Sequence, residues 1–188
     1  MTREPGSAIF PAVTDKTPTE DLIGPPPPDM AWTVVHVRPR CEKKLAEYCR
    51  TQNVRCYLPL RRKTHRYGKR ERVFLSPLFS GYLFCVVGPA ELASVSQNKN
   101  VANMLHVLDQ DKLGEQLRQI QGALAAGQLA EVLPYLVTGR RIRVSHGPLR
   151  GVEGVIQRVK GQTRVIINID IIRQSMAVEV DSAILEPA

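Results

Sequence analysis

No apolar run approaches the ~20 residues that a membrane-spanning helix needs, which excludes such a helix. The first residues lack the basic start and apolar core of a secretory signal, which argues against export. Cysteine is scarce: Cys41, Cys49, Cys56 and Cys85 are the only four. None forms a C-x-x-C pair, so neither structural zinc nor a redox couple is expected, and the chain is too long to need disulfide staples. The reading is four reduced thiols in a cytoplasm. His36, His65, His106 and His146 have no Cys, Asp or Glu at metal-ligand or relay spacing. There is no Gly-Lys-Ser/Thr phosphate loop. Asp109 and Asp111 sit at a helix start, where capping accounts for them. The sequence therefore predicts no enzyme, no metal and no cofactor.

What is present is the composition of a folded protein, 43% hydrophobic and 23% charged over 188 residues. That length holds one medium domain or two small ones. The net charge of +8 is unevenly placed. Residues 1–30 balance to −3, residues 38–72 to +10, residues 73–138 to −2 and residues 139–188 to +3. One stretch thus holds the whole excess, a pattern that suits a polyanion, most simply nucleic acid.

Residues 1–29 are acidic and Pro-rich, without periodicity, and read as a disordered tail. Met30 directly precedes the first structured segment and is a candidate start. Trp32–Val37 reads as a strand, and Cys41–Gln52 as a helix with Leu45, Tyr48 and Cys49 on one face. Val54–Leu60 is extended. Arg61–Arg72 is strongly polar around a single Gly and reads as a projecting basic hairpin. Tyr82–Val87 looks like a central strand, Pro89–Gln97 a short helix and Val101–Leu108 a further strand. Asp109 caps a helix marked by Leu113, Leu117, Ile120 and Leu124. Residues 30–126 thus form an α+β domain, an antiparallel sheet flanked by helices. Residues 127–138 read as a linker, and residues 139–188 carry only strand signals, which suggests a small five-stranded all-β barrel.

The second domain carries the most specific signal. Gly147, Pro148, Leu149, Arg150, Gly151 and Gly154 between two strand patterns match the KOW motif, with Leu149 expected to project from the loop. Upstream, Ser76 to Phe84 resembles the Leu-Phe-Pro-x-Tyr-Leu-Phe segment of the NusG family's N-terminal NGN domain. Trp32–Val37 resembles that family's opening strand, and the basic hairpin falls at the family's position. The chain departs from the family pattern at Thr33, Ser80, Gly81 and Leu149. The sequence therefore resembles a NusG-type transcription elongation and antitermination factor over residues 30–188, closer to the specialised RfaH-like paralogues.

The resemblance implies a monomer that binds the clamp helices of RNA polymerase through an apolar depression. The matching positions are Trp32, Phe79, Tyr82 and Phe84, with Met104 and Leu105 on the next strand. Aromatic anchors on a sheet face suit a partner helix. It also implies contact with non-template or upstream DNA by Arg38, Arg40, Lys43 and Lys44, with Tyr48 stacking on an unpaired base. Arg61, Arg62, Lys63, Arg66, Lys69 and Arg70 of the hairpin would meet phosphates without reading sequence. The KOW domain would recruit a ribosomal protein or a termination factor. The competing reading is an RNA-binding KOW module of ribosomal-protein type that does not bind polymerase.

Overall fold

The computed structural model describes residues 23–67, 70–127, 130–136, 139–159 and 162–188. Residues 1–22 of the expected tail lie outside this range. Residues 23–29 are part of the fold, because Ile23 is buried in the main apolar cluster. The carbonyl of Pro25 accepts from the Arg55 guanidinium at 3.1 Å, and that guanidinium lies over the Trp32 ring. The fold therefore takes in chain ahead of Met30.

The first unit is built from β1 (Ala31–Val37), α1 (Glu42–Thr51), β2 (Cys56–Tyr57), β3 (Leu60–Tyr67), β4 (Arg70–Pro77), β5 (Tyr82–Val87), α2 (Pro89–Ser96), β6 (Val101–His106) and α3 (Gln110–Ala125). Four strands form an antiparallel sheet in the order β2-β5-β1-β6. Because side chains alternate across a strand, the sheet presents two apolar faces. Val35, Val37, Leu83, Cys85 and Val87 meet Leu45, Ala46 and Cys49 of α1 and Val95 of α2. Trp32, Val34, Phe84 and Val86 meet Leu113, Leu117 and Ile120 of α3.

Local chemistry fixes the helices where the pattern places them. Pro89 stands in the first turn of α2, where its missing N–H costs nothing, and Glu91 accepts from the Gly88 N–H at 3.1 Å. The Asp109 carboxylate accepts from the Lys112 N–H at 3.0 Å and caps α3. Gln110 then ties α3 to β1. Its Oε1 accepts from the Trp32 N–H at 2.6 Å, and its Nε2 donates to the Trp32 carbonyl at 3.0 Å. This side chain completes the Trp32 backbone bonds beyond the last β1–β6 pair, Thr33 with His106.

Strands β3 and β4 stand apart as a two-stranded ladder, registered from Leu60 opposite Pro77 to Tyr67 opposite Arg70. The expected basic hairpin is thus present, and its tip, residues 68–69, lies outside the described range.

The second unit comprises β7 (Ala130–Pro134), β8 (Arg141–Val144), β9 (Glu153–Val159), β10 (Gln162–Ile169), β11 (Gln174–Glu179) and β12 (Leu185–Pro187). Their antiparallel order is β12-β8-β9-β10-β11-β7. Six strands replace the five expected. The additional one, β7, lies inside 127–138, the segment read as a linker, and pairs with β11 from Ala130 opposite Val178 to Pro134 opposite Gln174. Arg164 reinforces this edge by pairing with Glu131 at 2.8 Å and Glu179 at 3.2 Å. A short segment of weak pattern became a strand because an open edge of β11 was beside it.

Helix α3 packs against β1 and also against β10. One apolar cluster consequently runs from Trp32 and Phe84 through Leu117 and Ile120 to Ile167 and Met176.

Candidate nucleic-acid and protein interface

The aromatic positions divide by depth. Trp32, Phe79 and Phe84 are at most 1% exposed, with Phe79 and Phe84 edge to face at 6.5 Å. They are core residues, not the surface anchors expected: α3 covers the sheet face on which Trp32 and Phe84 lie, and Phe79, in the turn before β5, packs into the same cluster. Tyr82 lies on the same face as Phe84 but near the end of the sheet, half-buried and stacked on His36 at 5.3 Å. Leu105, opposite Val34, belongs to this face and is also half-buried. Met104, opposite Val35, packs on the other face with the α1 cluster. Met104 and Leu105 therefore cannot line one depression. Among the expected contacts, Tyr82 and Leu105 alone share a sheet face and stay partly open.

The basic positions gather around a cleft of about 680 Å³ at the turn from β1 into α1. Arg38, Arg40 and Lys43 line it together with His36, Ser76 and Gly81. Arg40 holds a left-handed backbone, φ 62°, which bends the chain sharply ahead of α1. Glu42, buried in the first turn of that helix, accepts from the Gly81 N–H at 2.8 Å and closes one wall. Lys43 donates to the Leu75 carbonyl at 2.6 Å, which joins α1 to the base of the hairpin. Lys44 is exposed beside the cleft. Tyr48 is not free to stack on a base. Its hydroxyl lies 2.9 Å from the Ser94 Oγ, and its ring packs with the α1 cluster.

On the hairpin, Arg62, Lys63 and Arg66 are exposed, while Arg61 is half-buried with its Nε unpartnered. Lys69 lies outside the described residues, as does the side chain of Arg70. The sequence reading missed what faces these cations: Val73, Phe74 and Leu75 are 62%, 45% and 41% exposed. Phe74 pairs across the ladder with Lys63, and Leu75 with Arg62. The hairpin is amphipathic within each strand pair rather than simply basic. The signal was three apolar residues directly after a polar run, too short and too unbroken to alternate between a buried and an open face.

In the KOW segment Gly147 and Gly151 hold left-handed φ of 83° and 86°, which the tight turn requires. A Cβ on Gly154 would sit 2.3 Å from the Ile166 carbonyl oxygen. Leu149 does not project. It is 4% exposed and belongs to the core, while Pro148 and Arg150 on either side of it are exposed.

A polar node was not expected at all. The Asp170 carboxylate, in the 3₁₀ turn between β10 and β11, pairs with Lys112 Nζ at 2.6 Å and accepts from the Tyr135 hydroxyl at 2.5 Å. Gln116 Oε1 accepts from the Asp170 N–H at 3.3 Å, and the Arg173 guanidinium lies 4.9 Å from the Tyr135 ring centroid. Partial burial works against ionisation. The hydrogen bonds from Lys112, Tyr135 and Gln116 outweigh it and hold the Asp170 carboxyl below its ordinary value.

All four thiols are free, and Cys49 on α1 is buried together with Cys56 and Cys85 in one apolar cluster. A hydrogen bond to Cys49, with burial added, pushes the Cys56 thiol far above its ordinary value. Among the described residues no group of His, Cys, Asp or Glu is arranged to hold a metal ion, and no helix is long and apolar enough to cross a membrane.

An α/β/α unit with a projecting basic hairpin, followed by an all-β unit with a glycine-rich loop, defines a two-part α+β protein. The family model described as transcription termination factor nusG matches residues 30–123, and the chain belongs to the NusG family. This is a family of non-enzymatic transcription factors acting in elongation. Among solved structures, the chain is similar to one titled "Domain interaction in Thermotoga maritima NusG", at 19% identity and a TM-score of 0.50, over 84% of this chain and 97% of that one. It also matches "MjSpt4:Spt5 complex conformation A" at 12% identity and a TM-score of 0.27, covering 84% and 97% respectively. A comparison with curated protein sequences gives no match.

Proposed function

We propose that this chain is a cytoplasmic, monomeric elongation and antitermination factor that binds the clamp helices of RNA polymerase and the non-template or upstream DNA beside them. The observation that carries the reading is the basic cleft. Arg38, Arg40 and Lys43 converge there, and the hairpin cations continue from its rim through the Lys43–Leu75 bond. Phosphates along a single strand would be neutralised in sequence by these groups, with affinity falling as salt rises. The partly open Tyr82 and Leu105, with His36 stacked on Tyr82, supply the apolar contact for a clamp helix. The second unit recruits a further partner, a ribosomal protein or a termination factor, through the exposed Pro148–Arg150 loop.

The test is capture of core RNA polymerase on the immobilised chain, with and without a single-stranded DNA bubble. Arg38→Ser with Arg40→Ser and Lys43→Ser should weaken binding to DNA-loaded complexes. It should also flatten the salt slope by about 0.7 for each phosphate no longer neutralised on single-stranded DNA. Good binding of isolated RNA with no capture of polymerase would instead favour the ribosomal-type RNA module.

A further inference from the structure

The two faces of the β3–β4 hairpin differ in kind. Directly opposed residues of an antiparallel ladder share a face, and the faces alternate along each strand. Arg61 with Ser76, and Lys63 with Phe74, therefore fall on one face, together with Arg72, two residues from Phe74 on β4. Arg62 with Leu75, Thr64 with Val73, and Arg66 with Glu71 fall on the other. Glu71 is the single acid of the two strands, so the Phe74 face carries cations with no acid among them. Lys63, Arg72 and Phe74 are all exposed, and none of the ion pairs among the described residues involves either cation.

This face starts at the basic cleft. Ser76 is one of the cleft's lining residues, and Phe74 lies about 7 Å farther out along the strand. Where the face meets the cleft, Arg61 Nε and Ser76 Oγ are buried without a hydrogen-bond partner among the described residues. Like charges held side by side on a ladder repel one another, so Lys63 and Arg72 weaken the hairpin unless a polyanion lies across them. One ring is too little apolar surface for a partner helix, whose anchors cluster, and the cations around it repel a second copy of the hairpin. Unpaired bases fit both features. Each base offers a flat π face to Phe74 while the phosphates on either side meet Lys63 and Arg72.

Building on the reading of the cleft as a DNA site, we infer that Phe74 is a base-stacking residue for the unpaired strand as it leaves that cleft. Val73 and Leu75, on the opposite face, take no part. Stacking tolerates every base, so this face selects for single strands rather than for a sequence.

The test is fluorescence anisotropy on the full chain, with labelled oligo(dT) of about 15 nucleotides and a labelled duplex of equal length. Phe74 lies outside the buried clusters, so its variants leave the core intact. Phe74→Ala should weaken oligo(dT) binding about 5- to 150-fold. It should leave duplex binding and the salt slope unchanged, because no phosphate contact is lost. Phe74→Leu, which keeps apolar area without the ring, should lose nearly as much, and Phe74→Trp should bind like wild type. Oligo(dT) should also quench the new indole of Phe74→Trp, against a constant background from Trp32, which is 1% exposed. Val73→Ala should bind like wild type. Full affinity in Phe74→Leu, or an equal loss in Val73→Ala, would overturn the inference. If Phe74→Ala binds normally while the combined Arg38, Arg40 and Lys43 replacement by Ser loses affinity, the stacking role alone falls. If that replacement also binds normally, or the wild type binds no oligo(dT), the reading of the cleft falls with it.

Discussion

Two antiparallel strand pairs behave oppositely in this molecule. β3 and β4 are held to each other and present Val73, Phe74 and Leu75 to solvent between arginines and lysines. β10 and its neighbour β11 are flanked by β9 on one side and β7 on the other, with Val165, Ile166, Ile167, Ile169, Met176 and Val178 all at most 2% exposed. The difference lies in coverage. The second pair is covered by α3 and by its flanking strands, so its β-branched residues contribute burial energy. Among the described residues the first pair has no such cover, and like-charged side chains along both of its edges discourage pairing with another chain. One pair thus supports the fold, and the other is free to serve as a contact surface.

The sharpest way to break this contrast is to trim one apolar side chain from each pair. Ile167→Ala should cost about 2–5 kcal/mol, because it opens a cavity next to α3. Val73→Ala should stay within about 0.5 kcal/mol of wild type. Urea denaturation followed by circular dichroism would compare them, and equal losses would show that the exposed hairpin is covered in solution.

A smaller effect is expected where the second sheet is tightest. Gly154→Ala drives a methyl against the Ile166 carbonyl, which must move to admit it. A loss of about 1–3 kcal/mol is expected, read from the same denaturation curves. The corresponding change on the first unit, Asp109→Ala, removes the cap of α3 and should cost about 0.5–2 kcal/mol.

The smallest effect is one of acidity. Asp170 is held below the ordinary carboxylate range in the folded chain, so its contribution to stability is full above the unfolded value. That contribution is lost as pH falls through the lower folded value. Thermal melts from neutral pH down into that acidic range should show a shallower decline for Asp170→Asn than for wild type. An identical pH profile would mean that the carboxylate adds nothing to the node.

Much of the fold was legible because its signals are local. The Leu113, Leu117, Ile120 and Leu124 spacing marked α3, the Arg61–Arg72 run marked the hairpin, and the glycine spacing marked the KOW turn. Even the separation of Met104 from Leu105 was implicit, since neighbours on a strand face opposite ways. The depth of Trp32 and Phe84 was not legible, because a sheet face reads the same whether a helix or a partner covers it. Leu149 raised the same ambiguity on a loop.

The sequence by itself determined where most strands and all three α-helices form, where positive charge gathers and which glycines must turn, because each follows from side-chain shape, period and charge along the chain. The tertiary structure alone decided that α3 seals the aromatic face, that residues 130–134 become a sixth strand and that Lys112, Tyr135 and Asp170 meet. Those outcomes depend on which surfaces arrive next to one another, and residues 58 positions apart carry no mark of that in their order.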